Sequence, residues 1–462
     1  MTLQNAFVAK GWPRIGASEL LLCCAAAGMA AAILFPSIIG LIVAVGAAAV
    51  LFTRPVVFLY FLVVLIPLQL PIPWDIAIRD VGSIARIALL VVALVSELQR
   101  IDWRGRSSAT KNITILVIVY VCFCVATVVV HGYTYNGTRA AFRLVSYAAL
   151  YFSAILLLKT EAQIRNVVML VLASSIVVCA YGYWQWISDD FGSFWHSMYD
   201  AGEIPNFWRG RITSFFLNDN PFAAYLNLIL SISIPLMVVK ISSNLRRLAI
   251  AATITGLTCM LLTQSRGALV AFVALLFAAV FFFPTSKATR VAILAALALT
   301  LLAGVAVVSY LPERYSSFTE GDIGRLIIWG VAIDLFRTAP LFGIGFGSFR
   351  DLSGKYLQFI LDTHNLYLKV LAETGVLGAV MYFGLKWIVV RNGIVYRRAS
   401  PLQHVLAFAV VGSIVTELVH GFADVMLDVP QVASMSFLIL ALFVAAQGAR
   451  TPVGRPSTNL QS

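Results

Sequence analysis

The stretch Leu361–Leu385, LDTHNLYLKVLAETGVLGAVMYFGL, reads for most of its length as a membrane-spanning helix, yet it opens on Asp362, Thr363, His364 and Asn365. A helix needs about 20 consecutive apolar residues to cross the hydrocarbon core. Four polar groups at the mouth of such a helix are costly unless they have a task there, and the rest of the chain indicates what that task is.

The chain has 462 residues, of which 60% are hydrophobic and 12% charged. Soluble domains carry about 25% charged residues, so this composition excludes a soluble protein. The apolar runs are continuous rather than alternating, which excludes a membrane β-barrel. The expected fold class is all-α: a polytopic membrane helical bundle of about 12–14 transmembrane helices with a long outer-face loop carrying amphipathic helices. Fourteen candidate spans centre near residues 27, 45, 63, 90, 121, 149, 175, 230, 255, 275, 300, 378, 410 and 438. The first run, from about Leu20, lacks a cleavage site and is read as a retained helix rather than a signal peptide.

The net charge of +12 does not indicate nucleic acid, because Lys and Arg collect in the cytoplasmic loops of polytopic proteins. With both termini inside, 20 of the 33 basic residues, counting Lys386, fall on the inner side. The other 13 comprise 11 Arg and 2 Lys (Lys355 and Lys369). An excess of Arg on the outer side runs against the topology rule and calls for another function, and Arg is the side chain whose planar fork grips phosphate. The six cysteines lie in apolar runs without metal-ligand spacing and read as inert buried thiols.

Two outer segments, 188–220 and 312–365, are too long for turns, and such loops usually carry function. In the second, Asp322 is placed to cap a helix whose apolar positions Leu326, Ile327, Trp329, Ile333 and Phe336 recur at roughly helical spacing. Gly343, Gly345 and Gly347 lack the dinucleotide-binding spacing and read as a flexible turn. These boundaries divide the chain into N-terminal helices (1–180), a core with both outer loops (181–390), and C-terminal helices with a tail (391–462).

Three polar clusters map to the outer face. The first, RGRITSFFLNDNPFAAYL (Arg209–Leu226), sets Arg209 and Arg211 before Asn218, Asp219 and Asn220; its bland alternative is an interfacial anchor. The second, LLTQSRGALVAF (Leu261–Phe272), places Gln264, Ser265 and Arg266 between two apolar helices. An Arg that close to hydrocarbon costs several kcal/mol unless paired or hydrated, and the bland alternative is that it snorkels to headgroups. The third is the His364 stretch, with Glu373 about two and a half turns further along. A neutral imidazole, with a pKa of about 6.5, can accept a proton from an attacking hydroxyl. Arginines can stabilise the charge growing on a departing diphosphate. No Asp-x-Asp or His-x-x-x-His pattern points to a metal, and no cofactor is indicated.

With these residues in view, the chain resembles the O-antigen ligase and O-antigen polymerase superfamily of bacterial envelope glycosyltransferases. The resemblance covers roughly Tyr181–Val390 and rests on SRGALVAF, on GRLIIWGVAIDLFRTAPLFGIGFGSF and on THNLYLKVLAETGVLG. It implies a metal-independent, inverting transferase in the bacterial inner membrane, with its site facing the periplasm. The donor would be a glycan on undecaprenyl diphosphate. The acceptor would be a glycolipid: lipid A–core for a ligase, a second lipid-linked repeat for a polymerase. His364 matches the family's base, Arg211 and Arg266 its diphosphate-binding arginines, and Arg325 a recurrent Arg at the head of the loop helix. Arg209, Asn365 and Glu373 have supporting places. The pattern of outer loops favours the ligase slightly, with an O-antigen or exopolysaccharide polymerase as the alternative. A lipid-linked sugar flippase would use the same basic cavity but would place its site near the midplane in repeated halves, and a scaffold would leave the outer arginines unexplained.

Overall fold

The computed structural model describes residues 53–68, 81–97, 107–189, 210–283 except 217, 318–354, 362–396 and 400–448 except 427, with isolated positions between 287 and 302. Among the described residues the chain is helical and without strands. The helices are α1 (Pro55–Leu65), α2 (Val81–Glu97), α3 (Ser108–Val130), α4 (Tyr135–Leu157), α5 (Glu161–Ser188), α6 (Asp219–Val238), α7 (Ser243–Thr263), α8 (Arg266–Phe282), α9 (Phe318–Thr338), the short α10 (Phe349–Ser353), α11 (Leu366–Tyr396), α12 (Pro401–His420) and α13 (Pro430–Gly448). Eight of them are long and apolar enough to cross a membrane, and α1 and α8 are shorter apolar helices. Eleven of the fourteen expected spans therefore fall on helices. Those centred near 27 and 45 lie outside the described residues, and the one near 300 is covered only at isolated positions.

Local chemistry sets the helix starts. Ser107, Thr134 and Thr160 each accept a hydrogen bond from the backbone N–H three residues on, and Thr160 forms a full capping box with Gln163. Ser265 does the same for α8. The expected cap at Asp322 does not occur: α9 begins at Phe318, so Asp322 lies inside the helix.

At the centre, α6 is buried on nearly every side and packs against α7, α8, α12 and α13. Tyr225, Phe222, Phe408 and Phe443 are at most 1% exposed. In lipid, helices associate by close packing rather than by escape from water, and small residues permit it. A Cβ on Gly412 of α12 would lie 2.5 Å from Leu275 Cδ1 of α8 and 3.1 Å from Ser231 Cβ of α6. Of the described cysteines, Cys124, Cys179 and Cys259 are buried as expected, whereas Cys122 is exposed on the outer surface of α3.

Helix α11 is not one continuous span. At Gly375 (φ 65°, ψ −169°) its backbone leaves the helical region, and Tyr367 stacks on Phe383 with ring centroids 5.5 Å apart. A straight helix would separate these residues by about 24 Å. The first segment, 366–374, therefore folds back on the second, 376–396. Glu373 accordingly lies at the tip of this fold-back, not deeper in a span as the linear reading places it. The same geometry corrects Lys386, which pairs with Glu417 at 2.6 Å. Glu417 is only three residues from the His420 end of α12, so Lys386 does not belong with the basic residues of the opposite end.

The turn after α9 fills the space above this fold-back. Ile344 N and Gly345 N donate to Ala372 O and Glu373 O, and Val376 N donates to Pro340 O. Gly343, Gly345 and Gly347 all have positive φ. A Cβ on Gly343 would come within 2.3 Å of the Glu373 backbone, and one on Gly347 within 2.4 Å of Ala140 Cβ. The expected flexible turn is thus a tightly packed one, with glycine required by close backbone approach. Helix α9 seats Ile328, Ala332 and Leu335 against Ile344, Phe349 and Ala372. The expected apolar face is displaced by one position: Leu326, Ile327 and Ile333 are exposed.

Candidate active site

The Asp362–Asn365 turn is held from several directions. Asn365 Oδ1 accepts from Tyr367 N and Leu368 N at 3.0 Å each, which caps α11. Leu366 N donates to Gly421 O at 2.7 Å, tying the turn to the end of α12. Trp329 Nε1 of α9 donates to Thr363 O at 3.1 Å. Between these anchors His364 adopts φ +47°. A left-handed conformation in a residue with a side chain costs about 1–3 kcal/mol and persists where the surroundings over-determine it. The result aims the imidazole at the segment following α12.

There His364 Nδ1 lies 3.0 Å from Asp424 Oδ1. Asp424 Oδ1 also accepts from Val425 N at 2.8 Å, and its Oδ2 from Asn220 Nδ2 at 3.1 Å. Asn220 Oδ1 in turn accepts from Ser265 Oγ at 2.7 Å. The chain Ser265–Asn220–Asp424–His364 thus joins the head of α8, the head of α6, the end of α12 and the head of α11. The hydrogen bond to Asp424 raises the His364 pKa above its ordinary value, while burial and the nearby Arg325 charge oppose that rise. Burial would push the Asp424 carboxyl up, but its bonds to His364 and Val425 N–H hold it below the usual carboxylate range. With Nδ1–H directed at Asp424, Nε2 is the basic nitrogen, and it has no hydrogen-bond partner among the described residues.

Two of the arginines flank this hydrogen-bond chain, and a third bears on the imidazole. Arg266 is the first residue of α8, next to Ser265, and is exposed. Arg211 pairs with Asp219 at 2.7 Å, beside Asn220, and its buried Nε has no hydrogen-bond partner among the described residues. The Arg211 loop is pinned by Gln264 Nε2 donating to Gly210 O at 3.0 Å, and by Gln185 Oε1, which accepts from Ser214 N at 2.7 Å. Arg325 on α9 is half-buried and near enough for its charge to act on His364. Arg209 lies outside the described residues.

Glu373 serves the scaffold. Its carboxylate accepts from Gly347 N at 2.9 Å and Phe349 N at 3.2 Å, and lies 3.7 Å from Lys369 Nζ. Lys369 binds both oxygens of Asp362 at 2.9 and 3.0 Å and also pairs with Asp428. Burial would raise Asp362, but Lys369 holds it well below the usual carboxylate range. Burial pushes Asp428 up, to about 6. Among the described residues no three His, Cys, Asp or Glu side chains are grouped to hold a metal ion.

Residues 251–383, from within α7 to within α11, match the family model described as O-antigen ligase. This stretch of the chain is similar to the O-antigen ligase family. No curated protein matches the chain. The matched stretch contains Arg266, Arg325, His364 and Glu373, whereas Arg211, Asn220 and Asp424 come from outside it. The match supports a glycosyltransferase-like enzyme of the membrane, in keeping with a family whose substrates are lipid-linked glycans.

Asp424 is the residue that sequence reasoning missed. It sits in HGFADVML, a polar interruption between the last two apolar runs. An Asp and a His at the outer mouth of a span were the available signal. Asn220 was noticed, but only as a neighbour of Arg211.

Proposed function

We propose that this enzyme transfers a glycan from undecaprenyl diphosphate to a sugar hydroxyl of a glycolipid acceptor. The observation that carries the reading is the His364–Asp424 dyad, with Arg325 close enough to act on the imidazole and with Arg266 and Arg211 next to Ser265 and Asn220 of the same hydrogen-bond chain. His364 Nε2 takes the proton of the acceptor hydroxyl, whose oxygen forms the new bond to the anomeric carbon. The anomeric C–O bond to the diphosphate breaks on the opposite face, so the configuration inverts. Asp424 keeps the proton on Nδ1 and steadies the imidazolium that forms. Arginine forks neutralise the departing diphosphate, which needs no general acid. The step draws on no metal or cofactor.

In this reading the site faces the periplasm from the bacterial inner membrane, and both termini are cytoplasmic. The ligase, with lipid A–core as acceptor, is slightly favoured over a polymerase that uses a second lipid-linked repeat. The test is donor consumption by purified protein carrying His364→Ala or Arg266→Ala. Wild-type transfer rates in both variants would remove the mechanism. Deletion of the gene separates the two acceptors: accumulated lipid-linked polymer indicates a ligase, and single unjoined repeats indicate a polymerase.

A further inference from the structure

Asn220 stands between the dyad and the helix heads beside which two of the arginines lie. It is the second residue of α6, after the Asn218 cap, and Pro221 follows it in the first turn, where a missing N–H leaves no helical bond unmade. Phe222 and Tyr225, both fully buried, anchor that turn in the core. The Asn220 side chain reaches two partners from other elements. Its Nδ2 donates to Asp424 Oδ2 at 3.1 Å, and its Oδ1 accepts from Ser265 Oγ at 2.7 Å.

Chemistry fixes the direction of each bond. An ionised carboxylate only accepts, so the amide turns its NH2 toward Asp424. Its carbonyl oxygen then faces Ser265, whose hydroxyl donates to it. The same Ser265 oxygen accepts from Ala268 N at 3.4 Å, as the cap of α8. An amide held at both ends in this way cannot flip without losing both bonds. Asp424 itself lies after α12, outside any helix. Its Oδ1 is shared between His364 Nδ1 and Val425 N, and Asn220 Nδ2 is the one partner of Oδ2 among the described residues. A carboxylate gripped through one oxygen swings about its side-chain torsions, whereas one gripped through both has a single plane. That plane aims the Nδ1–H of the imidazole. The neighbours of the two partners complete the link: Asp219 holds Arg211, and Arg266 follows Ser265. One amide therefore ties the base to the heads of α6 and α8.

We propose that Asn220 is a positioning residue of the transfer step: it fixes the plane of the Asp424 carboxylate and, through it, the tautomer and direction of His364. The role in transfer rests on the transferase reading above; the effect on the imidazole does not. The charged and titratable groups around the dyad are Asp362, Arg325 and His420, with Asp219, Arg211 and Arg266 on the far side of Asn220. Asn220→Ala changes none of them.

The test uses the full chain in nanodiscs, with single-turnover glycan transfer and magic-angle-spinning NMR of isotope-labelled histidine, the His364 signals being those lost in His364→Ala. Asn220→Ala should lower kcat by about tenfold. Donor KM should stay within about twofold of wild type, because the arginines remain. The same variant should convert the Nδ1–H tautomer of neutral His364 into a mixture of both tautomers. Asn220→Asp, similar in shape, turns a second carboxylate toward Asp424 and should lower kcat at least as far. The double variant Asn220→Ala/Asp424→Asn should fall within about twofold of Asp424→Asn alone, since Asn220 acts through that carboxylate. A residue that only stabilised the fold would lower the unfolding temperature, leave kcat as in wild type and add its loss to that of Asp424→Asn; that result overturns the proposal. A tautomer that stays fixed in both Asn220 variants overturns it as well. A wild-type protein that transfers no glycan but loses the fixed tautomer in Asn220→Ala keeps Asn220 as the residue that positions His364 and overturns the transferase reading instead.

Discussion

Asp424 Oδ1 lies 3.0 Å from His364 Nδ1 although the two residues are sixty positions apart in sequence. The pairing fixes which ring nitrogen is basic, and Asn220 holds the carboxylate from its other oxygen at 3.1 Å. An isolated histidine at a membrane surface rotates and titrates near its ordinary value. This one has a fixed tautomer, a fixed direction and a raised pKa.

Removal of the base should be decisive. His364→Ala is expected to lower kcat by at least about a hundredfold. Asp424→Asn keeps the size of the group but not its charge, and should lower kcat by about tenfold or more, the value of a hydrogen bond to a charged partner. Single-turnover glycan transfer measures both, and unchanged kcat in Asp424→Asn would remove the dyad from the mechanism.

The pH dependence follows from the raised His364 pKa. Only neutral imidazole accepts the proton, so kcat/KM should rise with pH through the raised value. Asp424→Asn takes away the main upward influence, so that limb of the profile should move to lower pH. For stability the sign is the reverse. A group whose folded pKa is raised contributes stability that is fully present below the unfolded value, about 6.5, and lost as pH rises through the folded one. The difference in unfolding temperature between wild type and Asp424→Asn should therefore be larger at pH 6 than at pH 9.

The arginines should act on the donor. Arg211→Ala and Arg266→Ala are each expected to reduce kcat/KM for the lipid diphosphate by roughly tenfold to a hundredfold, as charge-assisted hydrogen bonds of about 1.5–3 kcal/mol are lost. Lysine at either position should restore less than half of the loss in free energy, because it lacks the fork. Full rescue by lysine would indicate a simple point charge.

Gly375→Ala tests the fold-back of α11. The added Cβ would meet the Leu341 carbonyl carbon at 2.4 Å at a position with φ +65°. Both effects act against the native backbone, and a loss of about 3 kcal/mol or more is expected. Thermal unfolding in detergent is the measurement, and Gly384→Ala, where nothing lies within 4 Å, is the control.

Glu373→Ala should destabilise by about 3–5 kcal/mol, because it strips an acceptor from Gly347 N and Phe349 N and leaves Lys369 with less compensation. Glu373→Gln keeps an acceptor oxygen and should cost less. A variant that unfolds like wild type but transfers no glycan would instead place Glu373 in the chemistry.

The amino-acid sequence by itself determined that the chain is a membrane helical bundle, because hydrocarbon demands long apolar helices and their composition is local. It also marked His364, Arg211 and Arg266, because charge at the end of an apolar run is conspicuous against that background, whereas Arg325 stood out only through the family resemblance. Tertiary structure alone decided the rest. The reversal at Gly375 turned an apparent 31-residue helix into two segments, since one glycine with positive φ leaves no mark on hydropathy. It moved Glu373 and Lys386 to places that a straight helix cannot give them. Asp424 became the partner of His364 through the packing of α12 against α11, and no local pattern encodes which distant carboxylate a given imidazole will meet.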